Sequence, residues 1–338
     1  MALKASEEIF LARKQTAELF GCDKLENVIF TLNCTAALNT VMQGILKSGD
    51  HAIVSSLEHN AVMRPLEKLR EKGVSYTVAE VFPCDNDKTV DSFRKAINAR
   101  TKLVICTHAS NVWGIRLPIE RLSALCHEYG ILFAVDAAQT AGVVPIDVKC
   151  GIDFLCTAGH KGLYGPMGTG VLVVSGEVLP DTLVQGGTGS NSMSYEQPEE
   201  LPDRFESGTP NYSGTVGLRA GIGFVSSKTP EKIAMHEHTL IRYLYRELAK
   251  RDNILLYTPE PTEEYFVPIL SFNVRDKDSE AVSAYLNKKG IAVRAGLHCS
   301  PAAHQMMGTL STGAVRVSPS VFTKMAEMDY FLSAIRSI

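Results

Sequence analysis

Short apolar runs rich in β-branched residues alternate with helical patterns along the first half of this sequence, and that alternation restricts the fold more than any other feature. VIFTL (28–32) precedes a helix from Thr35, AIVSS (52–56) one running through Leu69, and VSYTVAEV (74–81) one near 89–98. KLVICTH (102–108) is followed by a helix after Pro118, and then come ILFAVD (131–136), FLCTA (154–158) and GVLVVS (170–175). Strands that are apolar throughout, taking turns with helices, predict an α/β fold whose mainly parallel sheet is covered on both faces. Ligands of such sheets bind at the carboxyl ends of the strands.

A polar, glycine-rich stretch from Gln185 to Ser213 interrupts this rhythm, and loops of that length in compact domains are usually functional. Beyond it the pattern changes to helices near 214–227 and 230–251, strands near 253–257, 266–273 and 290–294, and helices near 278–289 and 320–337. The expected organisation is a large domain over 1–228 and a smaller α+β domain over 229–338.

At 338 residues, 45% hydrophobic and 21% charged, the chain can bury a full core. A formal net charge of −3 offers no broad basic surface, which argues against nucleic acid or an anionic membrane and for a small-molecule substrate. No apolar run reaches the roughly 20 residues that span a bilayer. The opening MALKASEEIF reads as an amphipathic helix without a signal-peptide core, so a cytoplasmic location is expected. Eight cysteines (22, 34, 84, 106, 126, 150, 156 and 299) include no C-x-x-C pair, a poor framework for disulfides or zinc.

Chemistry-bearing residues follow these strands one after another. Asp136 ends ILFAVD, where a carboxylate either contacts a ligand or caps the following AAQTAG, with Gln139 as a capping partner. Lys161 lies among glycines in TAGHKGLYGPMGTG, and its amine can form an imine with an aldehyde cofactor; the alternative is an exposed loop lysine. NCTAALN (33–39) opens a helix after a strand. The amides near Cys34 and Thr35 then offer a phosphate cradle, unless Thr35 is simply an N-cap. His59 in SSLEHNAV can stack on a planar heterocycle, and Asn111 in HASNVWG can donate to a ring substituent. An anion cradle, a stackable ring, a carboxylate, an amide and a lysine converging on one sheet edge suit pyridoxal 5′-phosphate, an electron sink for carbanions at a substrate α-carbon.

AVDAAQ, AGHKGLYGPMGTG, ESGTPN and RAGLHCSP together resemble the class V aminotransferase superfamily, in its cysteine desulfurase and selenocysteine lyase branch. The resemblance spans nearly the whole chain. It implies the fold-type I architecture of pyridoxal phosphate enzymes, a homodimer, and Lys161 as the Schiff-base lysine. Asp136 then serves the pyridine nitrogen, Gln139 and Asn111 lie near the ring hydroxyl, and His59 stacks on the ring. Cys34, Thr35 and His160 hold the phosphate, and Thr209 reaches the phosphate of the neighbouring subunit.

Cys299 in VRAGLHCSPAAH is the one cysteine in polar, glycine-containing, basic surroundings, with His298 beside it and Arg294 and His304 nearby. Such a setting favours an accessible, reactive thiol. The resemblance gives it the sulfur of the substrate, L-cysteine or L-selenocysteine, with alanine released and a persulfide left for a sulfur-acceptor protein. The compact loop resembles group II desulfurases. Arg316 in TGAVRVSPS is the candidate clamp for the substrate carboxylate, alongside Asn111. Zinc on His298, Cys299 and His304 lacks a second ligand pair, so no metal is expected.

Two departures stand out. Relatives carry a further amino-terminal segment, with a strand lining the substrate pocket, ahead of where this sequence begins; either the polypeptide is a fragment or a variant, or the substrate pocket is built differently, and cofactor binding is expected to survive such a loss better than turnover. Ala158 occupies a position where relatives often place a phosphate-binding hydroxyl, with Thr157 as the nearest substitute.

Overall fold

The structure is a computed structural model and describes residues 2–338. In chain order the first part contains α1 (Ala2–Leu19), β1 (Val28–Thr31), α2 (Cys34–Ile45), β2 (His51–Ser55), α3 (Asn60–Arg70), β3 (Ser75–Ala79) and α4 (Asn86–Ala96). It continues through β4 (Thr101–Thr107), α5 (Ile119–Glu128), β5 (Leu132–Asp136), β6 (Phe154–Ala158) and β7 (Gly170–Val174) to α6 (Tyr212–Lys228). The seven strands form one sheet in the order β1-β7-β6-β5-β4-β2-β3.

Adjacent residues of the central strands divide between two cores, as a pleat with both faces covered requires. Ile53, Val104, Phe133 and Leu155 pack on one face, while Val54, Leu103, Ala134 and Phe154 pack on the other. The pairs β6–β5, β5–β4, β4–β2 and β2–β3 are parallel. β7 runs antiparallel to both β6 and β1. The reason is the short link 159–169, which turns the chain back without the helix a parallel crossover needs. Because β1 is reversed with respect to β7, and β7 with respect to β6, β1 points the same way as β6. The carboxyl ends of β1, β2, β4, β5 and β6 therefore share one edge.

The remainder comprises α7 (Pro230–Ala249), β8 (Ile254–Leu256), β9 (Leu270–Val274), α8 (Ser279–Lys288), α9 (Pro301–Met306), β10 (Val315–Val317) and α10 (Met325–Ile335). β9 lies between β10 and β8 in an antiparallel sheet, and Leu244, Phe272, Leu286 and Phe331 meet in a separate core. The strand expected at 290–294 does not form. Arg294 makes a single bridge to Arg316, and Gly296, at a positive φ of 90°, then turns the chain away. The helix expected from residue 320 starts only at Met325, after Pro319 and a turn in which the Ser320 amide donates to Thr323 Oγ1 at 3.0 Å. Although the elements flanking residues 298–314 lie outside the seven-stranded sheet, Ala303 and Ala314 belong to the core of that sheet. Among the described residues, no helix is long and apolar enough to cross a membrane.

Candidate active site

Asp136 is the last residue of β5 and is buried, and its Oδ1 accepts from the Ala138 amide at 2.9 Å and from the Cys34 thiol at 3.3 Å. The backbone after it forms turns rather than the helix expected from AAQTAG. Asp136 thus caps its own turn and still lines a small cavity at the sheet edge, together with Cys34, Thr35, His59, Thr107, Asn111, Gln139 and Lys161. Residues expected at this site from five separate strand ends line one cavity.

Lys161 is placed by two glycines that permit close backbone contact. A Cβ on Gly162 would lie 2.4 Å from the Ala141 carbonyl, and one on Gly142, at φ +85°, would lie 2.0 Å from the Gly162 carbonyl. Only glycine lets the lysine turn rest against the Asp136 turn. Lys161, Gln139 and Ala138 also line a second, larger cavity, which reaches Tyr164, Glu237, Arg316 and Ser318. Lys161 stands at the wall common to both cavities.

His59 is the N-cap of α3, and its Nδ1 accepts from the Ala61 amide at 3.0 Å. Burial pushes its pKa down, the Lys161 and Arg64 charges add to this, and Asp136 opposes it. The ring is therefore neutral at pH 7, with its proton on Nε2. Asn33, not Thr35, caps α2, its side chain accepting from the Ala36 amide at 2.9 Å. Thr35 is exposed at the mouth of the helix, where amides and the dipole favour an anion. The Cys34 thiol is spent on Asp136, and the negative charge there together with burial pushes its pKa well up, burial contributing most. Thr157 does not replace a hydroxyl at Ala158, because its Oγ1 donates to the Ala137 carbonyl at 3.3 Å.

Asn111 is buried, and its amide faces the Cys299 loop: Nδ2 donates to the His298 carbonyl at 2.8 Å, and Oδ1 accepts from Ser300 Oγ at 2.6 Å. The donor expected at a ring substituent is engaged there, as is the amide oxygen. Arg316 sits within β10, and its Nη1 donates to the Asn111 carbonyl at 2.7 Å. Among the described residues its Nε has no partner although it is buried, and burial next to Arg294 lowers its pKa to about 10. That combination suits an incoming carboxylate.

Cys299 is exposed, and its carbonyl accepts from the Asn60 amide at 2.8 Å. His298 beside it is buried, and burial, with Arg316 and His304 adding, lowers its pKa to about 4. His160 is exposed and lines neither cavity. Thr209 faces a different groove with Phe30, Leu32 and Phe205. Sequence reasoning passed over Glu58, which is fully buried. Its Oε1 accepts from the Thr107 amide at 2.9 Å and from the hydroxyl and amide of Ser55, pinning the ends of β2 and β4 next to His59. An acid one position before a loop histidine gave no signal that it would be sealed inside.

The donor set fits pyridoxal phosphate: a buried carboxylate already oriented by two donors, a neutral imidazole, a lysine amine and an open helix amino end border one cavity. A protein of Mycolicibacterium paratuberculosis named "Probable cysteine desulfurase" is 33% identical over all of this chain, which spans 50% of that protein. A cysteine desulfurase of Salmonella agona is 31% identical over all of this chain and 84% of its own length. A solved apo structure of a cysteine desulfurase from Thermococcus onnurineus NA1 is 32% identical, with a TM-score of 0.91 over 99% of this chain and 84% of that one. The architecture is accordingly the fold-type I arrangement of pyridoxal phosphate enzymes. Residues 1–331 match the family described as aminotransferase class-V, and the chain belongs to it.

Proposed function

We propose that this chain is a pyridoxal phosphate-dependent cysteine desulfurase, releasing L-alanine from L-cysteine and retaining the sulfur on Cys299 as a persulfide. One observation carries the reading. Lys161 stands between a cavity suited to the cofactor and a cavity containing Arg316, while Asn60 and Asn111, on the cofactor side, hold the Cys299 loop against them. Relatives named for this activity at 31 to 33% identity over the whole chain support it.

Bound in the first cavity, pyridoxal phosphate supplies an electron sink for the substrate's α-carbon. Lys161 is the residue that anchors it and moves protons at the α-carbon. Asp136, aimed by the Ala138 amide, would hold the ring-nitrogen proton, and His59 would offer a flat neutral surface to the ring. The Thr35 hydroxyl and the α2 amino end take the phosphate, with His160 and, from a second copy of the chain, Thr209. Gln139 lies beside the ring hydroxyl. Arg316 anchors the substrate carboxylate. The Cys299 thiolate takes the substrate's sulfur: a sulfur–sulfur bond forms, the carbon–sulfur bond breaks, and a proton completes alanine. A cytoplasmic homodimer that hands its persulfide sulfur to an acceptor protein completes the reading, and L-selenocysteine is the alternative substrate.

Incubation with L-cysteine is expected to release alanine and to add one sulfur atom to Cys299, seen by intact mass and lost in Cys299→Ala. Alanine release without that adduct would remove Cys299 as the acceptor. No alanine, with selenide still released from L-selenocysteine, would make the chain a selenocysteine lyase.

A further inference from the structure

Three consecutive residues at the proposed sulfur acceptor are each held by the cofactor domain. The His298 carbonyl accepts from Asn111 Nδ2 at 2.8 Å, the Cys299 carbonyl from the Asn60 amide at 2.8 Å, and Ser300 Oγ donates to Asn111 Oδ1 at 2.6 Å. These bonds restrain an unfavourable backbone. His298 and Cys299 both have positive φ, 53° and 58°, a conformation that side chains with a Cβ avoid. Such a pair persists only where its surroundings over-determine it.

The restraint continues along α9. Trp113 Nε1 donates to the Ala303 carbonyl at 2.8 Å, and Ala303 is buried in the core of the large sheet. The Cys299 segment is thus fastened to the cofactor domain although small-domain elements flank it in sequence. Asn111 is the common point: its carbonyl holds Arg316 while its amide holds both neighbours of Cys299. The carboxylate anchor and the thiol are located from one residue.

We propose that Ser300 is a positioning residue: with Asn111, which lines the proposed cofactor cavity, it forms a clasp that holds Cys299 in its left-handed conformation, and so sets the geometry of sulfur transfer. Ser300 is fully buried and lines neither cavity, so it acts through Cys299 and not on substrate. This deepens the desulfurase reading and rests on it for the transfer step. The clasp itself does not depend on turnover.

The test is Ser300→Ala in the full chain with cofactor, its folding checked by melting. Two quantities are followed: the rate of Cys299 alkylation by iodoacetamide, mapped by peptide mass, and kcat and KM for alanine release. Loss of one hydrogen bond frees the loop by about fivefold, so Cys299 is expected to alkylate faster by about that factor. The visible cofactor band and KM stay as in the parent while kcat falls by at least a similar factor. A folded variant with unchanged alkylation overturns the clasp. Faster alkylation with unchanged kcat overturns its part in transfer. If the parent chain itself releases no alanine, the desulfurase reading fails, and the alkylation rates still decide the clasp.

Discussion

Sealed from solvent one position before His59, the Glu58 carboxyl has a pKa of about 8, because burial disfavours its charge more than the hydrogen bonds from Ser55 and Thr107 favour it. Glu237, buried beside Tyr164, is raised to about 8 for the same first reason. An acid whose pKa is raised on folding keeps its proton in the folded chain after the unfolded chain has lost it. Its contribution to stability is therefore present at low pH and is lost as pH rises through the folded value. Buried histidines such as His298, at about 4, act in the opposite sense, but only below their ordinary value of about 6.5. Between about 6.5 and 8 the carboxyls dominate, and stability is expected to fall by up to about 1.4 kcal/mol per pH unit for each. Glu58→Gln, melted at pH 6.5 and at pH 8, should show a smaller drop than the parent. An equal drop in both would contradict the buried neutral acid. Asp136, His59 and Lys161 were legible in the sequence because each is a polar group placed at or just past the end of an apolar strand. Glu58 was not, since its burial depends on Ser55 and Thr107 closing over it from two strands.

The turns that carry Asp136 and Lys161 touch backbone to backbone, which makes their glycines the sensitive positions of this layer. Gly142→Ala adds a Cβ only 2.0 Å from the Gly162 carbonyl at a positive φ. It is expected to cost about 2 kcal/mol or more and to weaken cofactor retention, measured by denaturant unfolding and by dialysis. Unchanged stability and retention would show that the two turns need no such contact. Asn33→Ala removes the α2 cap and should cost about 1 kcal/mol, whereas Thr35→Ala should leave stability nearly intact and weaken phosphate binding. The element pattern was readable because apolar strand and helix periods differ. What escaped it depended on partners distant in sequence. Residues 290–294 look like a strand, yet only Arg294 finds a neighbour before Gly296 turns away. The reversal of β7 follows from the length of the link before it, and Asn33 rather than Thr35 caps α2, a choice the sequence leaves open because both are good capping residues.

Across the whole molecule, the proposed cofactor cavity lies at one sheet edge, the proposed substrate cavity runs from it toward the three-stranded sheet, and the Cys299 segment crosses back onto the large core. Thr209 lies apart from the cavity of its own chain, in a groove with exposed Leu32 and Val184. The homodimer in our proposal brings that groove to a partner's cofactor. Thr209→Ala should then lower pyridoxal phosphate affinity about tenfold, the worth of one charge-assisted hydrogen bond, in a protein whose solution mass is twice that of the chain. A monomer that retains cofactor fully would contradict the shared site. The account as a whole rests on Lys161, and the most direct measurement is borohydride reduction of the cofactor-loaded protein followed by peptide mass mapping. The account predicts pyridoxal phosphate fixed to the Lys161 peptide, and no fixed cofactor or visible band in Lys161→Ala; an undiminished band in that variant, or cofactor fixed to another lysine, would contradict it.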